Sequence, residues 1–473
     1  MIDMTLTEVA SVTGGTLTSG GETLVTGDVV ADSRAAGPGT LFAAFEGAHV
    51  DGHDFVGAAL DAGAAAAFVT RTVPGTGPTV LVDDVAAALG RLARHVLAVV
   101  RARRTDADPV RVVAVTGSYG KTTTKDLLAR LLAPLGETIA PPGSFNNEIG
   151  LPLTVLRTTD TTSTLVLEMG ADRVGNLAYL TSIAPPDVAV VLAVGRAHLG
   201  EFGGIENVAR AKAELVAGLV PGGTAVLNAD DPRVAAMAEG AAAAAEAQVL
   251  TFGRSADADL RAEDVRLDGA GHAGFRLLAP TGAADVRLAL VGEHHVTNAL
   301  AAAAVALHLG VGLDAIAEAL ATAGAASPHR MDVRDRGDGI RIVDDSYNAN
   351  PDSVRAALRT LAGLSAGRRR VAVLGEMLEL GEDSAAEHAS VGAETAGIDL
   401  LVAVGPGTAP LGRAAREAGV EVLDATDAAT ARELLDAQLR PGDVVLLKGS
   451  NGAGIWRVAD HLLRPAGEGD APS

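Results

Sequence analysis

The sequence predicts an α/β protein of about three domains whose sheets are mainly parallel. Its 473 residues, 48% hydrophobic and 21% charged, are too many for one core, since a domain holds roughly 150 residues. Apolar runs of strand length alternate with helical segments twice, first from residue 112 and again from residue 340. This alternation is typical of parallel strands covered by helices on both faces. We therefore predict domains at 1–108, 109–327 and 328–473.

The first predicted domain is a small α/β unit. It combines short β-like pieces with a strand at 40–45, a helix near 54–66, a strand at 79–82 and a long helix at 85–103. The Arg-rich and then polar stretch at 101–109 is interpreted as a linker to the next domain.

The middle domain begins with an apolar run at 112–115, a glycine-containing loop and a helix at about 122–132. Further strands are predicted at 164–167, 188–194 and 224–227, a helix at 205–219, a β-rich stretch at 259–291, and helices at 296–309 and 313–323. In the last domain, strands are predicted at 340–343, 371–374, 401–404 and 444–447, with helices at 351–363, 384–396, 409–418, 427–438 and 453–463. This pattern predicts a second, smaller doubly wound sheet, followed by a disordered tail at 465–473.

The composition excludes several kinds of function. The net charge is −21, which disfavours attraction to nucleic acid or to an anionic membrane. The sequence contains no cysteine, so disulfides, thiolate metal sites and a cysteine nucleophile are excluded. The sequence shows no signal-peptide pattern and no run of about 18 apolar residues, so neither secretion nor membrane insertion is expected. We expect a cytoplasmic protein that binds small anionic molecules, if at all, in a locally positive pocket.

The loop after the first strand of the middle domain has the pattern of a phosphate-binding loop. It consists of Thr116, Gly117, Ser118, Tyr119, Gly120, Lys121, Thr122 and Thr123. Glycines let backbone N–H groups face phosphate oxygens, and the following helix N-terminus adds a positive dipole end. Lys121 would reach the β- and γ-phosphates, and the Thr122 hydroxyl would bind Mg²⁺. Val115 stands where the longer pattern has glycine, so the strand–loop–helix context carries the prediction of nucleotide binding.

This loop and the motifs after it resemble the ATP-dependent Mur ligases, which add amino acids to the peptidoglycan precursor. The resemblance covers essentially the whole chain. Its motifs are S-F-N-N-E-I-G at 144–150, E-M-G at 168–170, A-H-L at 197–199, A-K-A-E at 211–214, H-x-x-N-A-L-A at 295–301, P-H-R at 328–330, D-D-S-Y-N-A-N-P at 344–351 and L-K-G-S at 447–450. The D-S-Y-N-A-N-P string is the most discriminating, and it is similar to that of the branch that adds D-alanyl-D-alanine to UDP-N-acetylmuramoyl-tripeptide.

The resemblance implies a fold and a reaction. The fold is a central P-loop ATPase domain with a parallel sheet, a C-terminal Rossmann-like domain and a small N-terminal domain that binds the UDP substrate. In the reaction, ATP phosphorylates a carboxylate, and an amine then displaces phosphate from the acyl phosphate, which leaves ADP and phosphate. Such a site needs a γ-phosphate cradle, metal ions between like charges and little water. The expected cofactors are ATP and two Mg²⁺ ions.

The resemblance implies four metal ligands, namely Thr122, Glu168, His198 and Lys212. Glu168 ends a predicted strand at the edge where doubly wound sheets bind ligands; a helix N-cap or a surface carboxylate is the alternative. His198 is a lone histidine that could instead be structural. A lysine ammonium has no acceptor, so Lys212 would act as a carbamate formed with CO₂, and an unmodified lysine that contacts phosphate is the alternative.

The resemblance also implies nucleotide contacts outside the loop. Asn298 would contact adenine, with a helix cap as the alternative. Arg330 would reach an ATP phosphate when the domains close, a task that suits a bidentate guanidinium. We count it among the predicted catalytic residues, which are Lys121, Glu168, His198, Lys212 and Arg330. Asp345 follows a predicted strand and suits ribose hydroxyls.

Substrate contacts are implied in all three domains. The residues are Ser33, Arg34, Gly47, Asn146, Asn147, Asn348, Asn350 and Lys448. The first three resemble a uridine-nucleotide site, and Lys448 would face the carboxylate of D-Ala-D-Ala. Asn451 stands where many members of that branch carry arginine, which leaves the dipeptide contacts open.

Two other functions stay open from the sequence. One is a Mur-type ligase that adds a single amino acid to a UDP-MurNAc-peptide, and the other is a non-catalytic, nucleotide-binding regulatory protein. The expected partners are UDP-MurNAc-tripeptide and D-Ala-D-Ala, without nucleic acid, and the chain is expected to be a monomer. Of the 38 Lys and Arg residues only four are lysine. The motifs leave Lys125 unexplained, and a position on the helix surface is its simplest interpretation.

Overall fold

The computed structural model describes residues 1–47, 50–105, 107–195, 199–240 and 246–464. The predicted ligand His198 and the predicted disordered tail lie outside these residues. The described chain forms three sheets covered by helices and one two-stranded ribbon, so the prediction of an α/β fold with three sheet-centred units is confirmed. Among the described residues, no helix is both long and apolar enough to cross a bilayer.

The first unit is a five-stranded sheet with three helices. Its elements are β1 (Met4–Thr5), α1 (Leu6–Thr13), β2 (Thr16–Leu17), β3 (Leu24–Val25), β4 (Val29–Val30), β5 (Leu41–Ala43), α2 (Val56–Asp61), β6 (Ala66–Val69), β7 (Thr79–Leu81) and α3 (Val85–Arg103). The strand order is β2-β7-β6-β5-β4, in which β4 to β7 are parallel and β2 is antiparallel, while β1 pairs with β3. Helix α3 has the predicted span of 85–103. The linker predicted at 101–109 therefore begins too early, because its first three residues belong to the helix.

The second unit is a nine-stranded sheet. Its elements are β8 (Arg111–Thr116), α4 (Lys121–Leu132), β9 (Glu137–Ile139), α5 (Gly150–Val155), β10 (Thr162–Glu168), α6 (Asn176–Ile183), β11 (Val188–Val191), α7 (Leu199–Phe202), α8 (Ile205–Ala217), β12 (Thr224–Asn228), α9 (Pro232–Ala235), β13 (Gln248–Gly253), β14 (Leu260–Leu267), β15 (His272–Ala279), β16 (Gly282–Val291), α10 (His295–His308) and α11 (Leu313–Thr322). The order is β16-β15-β14-β13-β12-β11-β8-β10-β9. Strands β8 to β14 pair in parallel, whereas β14, β15 and β16 are antiparallel neighbours. The predicted β-rich stretch therefore makes this sheet mixed at one side.

The third unit is a six-stranded sheet. Its elements are β17 (Asp332–Asp335), β18 (Arg341–Asp344), α12 (Pro351–Leu364), β19 (Arg370–Gly375), α13 (Ser384–Ala393), β20 (Leu400–Val404), α14 (Ala409–Glu417), β21 (Glu421–Ala425), α15 (Ala428–Gln438), β22 (Val444–Lys448) and α16 (Ile455–Leu463). The order is β17-β18-β22-β19-β20-β21, and only the β17–β18 pair is antiparallel. Both edge strands, β17 and β21, were missed by the prediction because they carry charged residues and lack an apolar run.

The two faces of the central sheet belong to different cores. Val112 and Ala114 of β8 pack in one hydrophobic cluster, while Val113 and Val115 pack in another, because successive side chains of a strand point to opposite faces. The first cluster also contains Leu92 of α3. Helix α3 thus joins the N-terminal unit to the central sheet through a shared core.

We expect Leu92→Ala to lower the free energy of unfolding by about 2–5 kcal/mol, the usual result of truncating a buried leucine. Leu92 has no exposed surface, and the cavity would open where two units share their core. The matched control is Arg94→Ala, since Arg94 is exposed on the same helix, and this change should stay within about 0.5 kcal/mol. Chemical denaturation measures both values, and equal small effects would contradict a shared core.

Candidate active site

A cleft of about 1280 Å³ lies where the three units meet. It is lined by the loop after β8, the start of α3, the loop after β10, the start of α10, and segments 345–353 and 448–452. Strands β8, β10 and β22 end at this cleft. Ligands of open α/β sheets bind outside the carboxyl ends of the strands, so this cleft is the candidate site.

The loop after β8 has the backbone that phosphate binding requires. Gly117 and Gly120 have φ values of 158° and 81°, which residues other than glycine rarely adopt. A Cβ at Gly120 would also collide with Oδ1 of Asn298. The Lys121 ammonium donates to the Gly117 carbonyl at 2.8 Å, so the lysine folds back across the loop. Burial lowers the pKa of Lys121, Glu168 opposes this shift, and Arg330 adds to it.

We expect Gly120→Ala to weaken nucleotide binding by at least about tenfold, since a left-handed alanine alone costs roughly 1–2 kcal/mol and the methyl group would displace Asn298. Gly222→Ala is the matched control. Gly222 has a φ of 73°, and no atom lies within 4 Å of the place that a Cβ would occupy, so it isolates the backbone cost from the collision. Titration with ADP measures the nucleotide affinity of both variants. Unchanged affinity in Gly120→Ala would show that the loop does not hold the nucleotide.

A hydrogen-bonded network joins the loop to β10 and to the C-terminal unit. The Thr122 hydroxyl donates to Oε2 of Glu168 at 2.8 Å and lies 2.9 Å from the Ser144 hydroxyl. One terminal nitrogen of Arg330 donates to both hydroxyls at 3.0 Å. The other oxygen of Glu168 accepts from the Asn146 amide at 2.7 Å. The structure thus brings together residues predicted from four separate motifs.

The residues of this network fit a divalent cation. Thr122 and Glu168 are only 3% and 1% exposed, and a buried carboxylate beside hydroxyls is the oxygen donor set that Mg²⁺ prefers. Nearby, the hydroxyl of Thr116 is buried without a hydrogen-bond partner among the described residues. The helix-cap and surface alternatives for Glu168 do not fit its position at the end of β10.

Lys212 lies on α8 and lines the same cleft. Its side chain is 3% exposed, and its pKa falls to about 7 because burial penalises the charged form and Lys121 adds repulsion. At neutral pH a substantial fraction of this amine is therefore neutral and able to act as a nucleophile.

The side chain of Arg330 is held on an aromatic ring. Its guanidinium lies 4.0 Å from the ring centre of Tyr347, within the range of a cation–π interaction. The residues on either side, His329 and Met331, have φ values of 59° and 53°. Two departures from ordinary backbone conformation around one arginine indicate that the surrounding structure fixes its position.

Asn298 lies inside α10, whose N-cap is His294, so the alternative of a helix cap is wrong. Its amide nitrogen is 3.2 Å from Nδ1 of His295. The Nε2 atom of His295 is buried without a partner among the described residues, and burial, followed by repulsion from His294, holds the pKa of His295 well below its usual value. Asn298 therefore sits beside a neutral imidazole at the side of the cleft.

Asp345 and Lys448 form an ion pair with each other. The Lys448 ammonium lies 2.5 Å from Oδ2 of Asp345 and donates to the Asn348 carbonyl at 2.9 Å. Both residues line the cleft. The contact of Asp345 with ribose and the contact of Lys448 with a substrate carboxylate stay predictions. In each case the side chain would have to bind the ligand in addition to, or instead of, its partner in the ion pair.

The predicted asparagines divide into two groups. Asn146 contacts Glu168, whereas Asn147 accepts from the backbone N–H of Gly150 at 2.9 Å and orders the start of α5. Asn348 accepts from the N–H of Ala349 at 2.8 Å. Asn350 caps α12 and its amide lies 3.5 Å from the Ser118 carbonyl across the cleft. All four line the cleft, but Asn147 and Asn350 also have evident structural roles.

The predicted uridine-site residues lie apart from this cleft lining. Ser33 and Arg34 belong to a short 3-10 helix capped by Asp32, and the Arg34 guanidinium pairs with Asp32 at 2.7 Å. Gly47 donates its N–H to the Val50 carbonyl at 2.9 Å. All three residues belong to the first unit, and none of them is among the residues that line the cleft.

Three features were not predicted. Ser144 lies inside the S-F-N-N-E-I-G motif, yet nothing in the sequence indicates that it joins Thr122 to Arg330. The stacking of Tyr347 on Arg330 was also missed. The placement of Lys125 on a helix surface is wrong, because it is 1% exposed and donates to the Pro141 carbonyl at 2.7 Å. A lysine among polar neighbours is ordinarily exposed, so the sequence carried no signal for its burial.

The comparisons with known proteins identify the family of the chain. Three family models match, namely the Mur ligase family catalytic domain at residues 28–96, the Mur ligase middle domain at 115–306 and the Mur ligase glutamate ligase domain at 329–451. Together with the P-loop cleft, they show that the chain belongs to the Mur ligase family, which confirms the resemblance inferred from the motifs.

Within that family, the chain is similar to ligases of one kind. The UDP-N-acetylmuramoyl-tripeptide–D-alanyl-D-alanine ligase of Mycobacterium tuberculosis is 46% identical over 506 aligned residues, which cover 98% of each chain. The crystal structure of MurF from Acinetobacter baumannii superposes with a TM-score of 0.84 at 32% identity over 97% of this chain and 98% of that one. The MurF ligase of Thermotoga maritima, solved in complex with ADP, has a TM-score of 0.76 at 32% identity over 92% and 97%.

Proposed function

We propose that this chain is the ATP-dependent ligase that joins D-alanyl-D-alanine to UDP-N-acetylmuramoyl-tripeptide in peptidoglycan biosynthesis. The reaction proceeds through an acyl phosphate and releases ADP and phosphate. The observation that carries the proposal is the network in which Thr122 of the phosphate loop, Glu168 of the central sheet and Arg330 of the C-terminal unit meet in one cleft.

Each part of the reaction has residues suited to it. The loop from Thr116 to Thr123, with Lys121, holds the phosphates of ATP, and Arg330 approaches the transferring phosphoryl group with a guanidinium. Asn298 and Asp345 hold the adenine and ribose. Thr122, Glu168 and, outside the described residues, His198 would hold Mg²⁺, which neutralises charge between phosphate and carboxylate when bound.

We further propose that Lys212 carries a carbamate formed with CO₂. A free ammonium repels both Mg²⁺ and Lys121, whereas a carbamate supplies acceptor oxygens and a negative charge to the same place. The lowered pKa of about 7 supports the proposal, because carbamate formation requires the neutral amine.

The remaining assignments follow from the same function. We propose domains at 1–108, 109–327 and 328–473, with the UDP group at Ser33, Arg34 and Gly47, and the sugar-peptide near Asn146 and Asn147. The dipeptide meets Asn348, Asn350 and Lys448. We also propose that the enzyme acts in the cytoplasm as a monomer and supports cell shape and division, since its substrates are nucleotide-linked precursors of the cell wall.

The choice of amine tests the function. With UDP-MurNAc-tripeptide and Mg·ATP, D-Ala-D-Ala should drive phosphate release much faster than diaminopimelate or lysine, which a ligase adding a single amino acid would prefer. A coupled assay of ADP release measures this preference. Nucleotide binding without release of phosphate by any amine would instead favour a regulatory protein.

A further inference from the structure

The hydroxyl of Thr122 has no free bonding capacity in this structure. Its hydrogen points to Oε2 of Glu168, an acceptor-only carboxylate oxygen 2.8 Å away. Because that hydrogen is used, the Ser144 hydroxyl at 2.9 Å must donate to Thr122. Arg330 donates at 3.0 Å. A hydroxyl oxygen offers two lone pairs, and these two donors take both of them.

A metal ion on the Thr122 oxygen therefore has to displace a donor. Ser144 is neutral, so its hydroxyl can rotate away from Thr122 without electrostatic cost. The guanidinium of Arg330 is a cation, so the metal ion would repel it. We propose that Arg330 and a divalent cation compete for the Thr122 hydroxyl, and that Ser144 and Tyr347 are positioning residues that set the balance of this competition. The proposal rests on the metal-dependent nucleotide binding of the proposed function and concerns how that binding is controlled.

Ser144 strengthens the hold of Arg330 on the loop. The same terminal nitrogen of Arg330 donates to the hydroxyls of Ser144 and Thr122, both at 3.0 Å. Removal of the Ser144 hydroxyl would delete one acceptor of Arg330 and release one lone pair of Thr122. Both changes favour the metal ion.

Tyr347 keeps Arg330 in place in a different way. The ring lies 4.0 Å from the guanidinium, and the Tyr347 N–H donates to the His329 carbonyl at 3.2 Å, which ties the ring to the segment that carries Arg330. The Nε atom of Arg330 is buried without a hydrogen-bond partner among the described residues, so a terminal nitrogen makes both contacts with the hydroxyls.

The experiment measures the Mg²⁺ concentration that gives half-maximal binding of ADP to the full-length chain by calorimetry. ADP lacks the γ-phosphate, so a contact of Arg330 with that group does not enter. Ser144→Ala and Arg330→Gln should lower the required Mg²⁺ concentration by roughly 3- to 10-fold, the effect of one lost hydrogen bond, and Tyr347→Leu should lower it in the same direction. Ser144→Thr and Tyr347→Phe retain the hydroxyl and the ring, and they should match the unmodified chain.

Each outcome has a distinct meaning. A higher Mg²⁺ requirement in Ser144→Ala would overturn the proposal and make Ser144 a metal ligand, and an unchanged requirement in Arg330→Gln would also overturn it. Arg330→Gln carries the test if circular dichroism shows that Tyr347→Leu does not fold. If the unmodified chain fails to bind ADP with Mg²⁺ at any concentration, the proposed function fails instead.

Discussion

Lys212→Ala should lower kcat by about 10³-fold, and added acetate or another short carboxylic acid should restore part of the activity. The magnitude is that of disturbing a metal ion that stabilises charge at the reacting phosphate, because the proposed carbamate would be one of its ligands. Lys212 is 3% exposed in the cleft, so alanine leaves a buried space in which a small carboxylate can occupy the place of the proposed carbamate. Initial rates at increasing acetate concentration measure the recovery.

Lys212→Arg distinguishes the carbamate from an unmodified lysine that contacts phosphate. Arginine keeps the positive charge but cannot form the carbamate, since it stays protonated in proteins. We expect it to be as inactive as Lys212→Ala and not to respond to acetate. Substantial activity in Lys212→Arg, or no recovery of Lys212→Ala by any short acid, would contradict the carbamate.

The lowered pKa of Lys212 predicts a pH dependence for the proposed carbamate. Because the folded-state pKa is lowered to about 7, the neutral amine prevails above that pH and the ammonium below it. Activation by added bicarbonate should therefore weaken as the pH falls below about 7.

Arg330→Ala should lower kcat by about 10²–10³-fold, the effect of removing one donor to developing charge, while the affinity for Mg·ATP changes much less. Arg330 reaches the phosphate loop from the C-terminal unit and contacts Thr122 and Ser144 there. The contribution of Arg330 to catalysis therefore requires the central and C-terminal units to be together. Binding of the nucleotide to the central sheet does not require this. Steady-state kinetics and calorimetry give the two quantities.

Arg334→Ala is the matched control, because Arg334 follows on the same segment but is exposed and pairs with Asp332 at 2.7 Å. It should leave both quantities nearly unchanged. Equal losses of kcat and of Mg·ATP affinity in Arg330→Ala would contradict a role in closure of the units.

Local features of the site could be predicted from the sequence. The spans of α3 and α4 and the loop between β8 and α4 follow from apolar periodicity and glycine placement, which act over a few residues. Glu168 could be placed because it ends a buried strand, and all parallel strands of a sheet present their carboxyl ends at one edge.

Contacts between distant segments could not be predicted in the same way. Ser144, Thr122 and Arg330 are brought together across 22 to 208 residues, and no local pattern records which hydroxyl meets which guanidinium. The burial of Lys125 and the ion pair of Asp345 with Lys448 likewise depend on how neighbouring loops pack. The direction of β15 and β16 was open because alternation of apolar residues is the same in parallel and antiparallel strands.

Mass spectrometry of the product formed from UDP-MurNAc-tripeptide, Mg·ATP and D-Ala-D-Ala tests the central claim most directly. We expect a single new species whose mass equals that of the UDP-tripeptide plus the intact dipeptide minus water, formed together with equal amounts of ADP and phosphate. A product extended by one amino acid only, or consumption of ATP without an amide product, would contradict the proposed function.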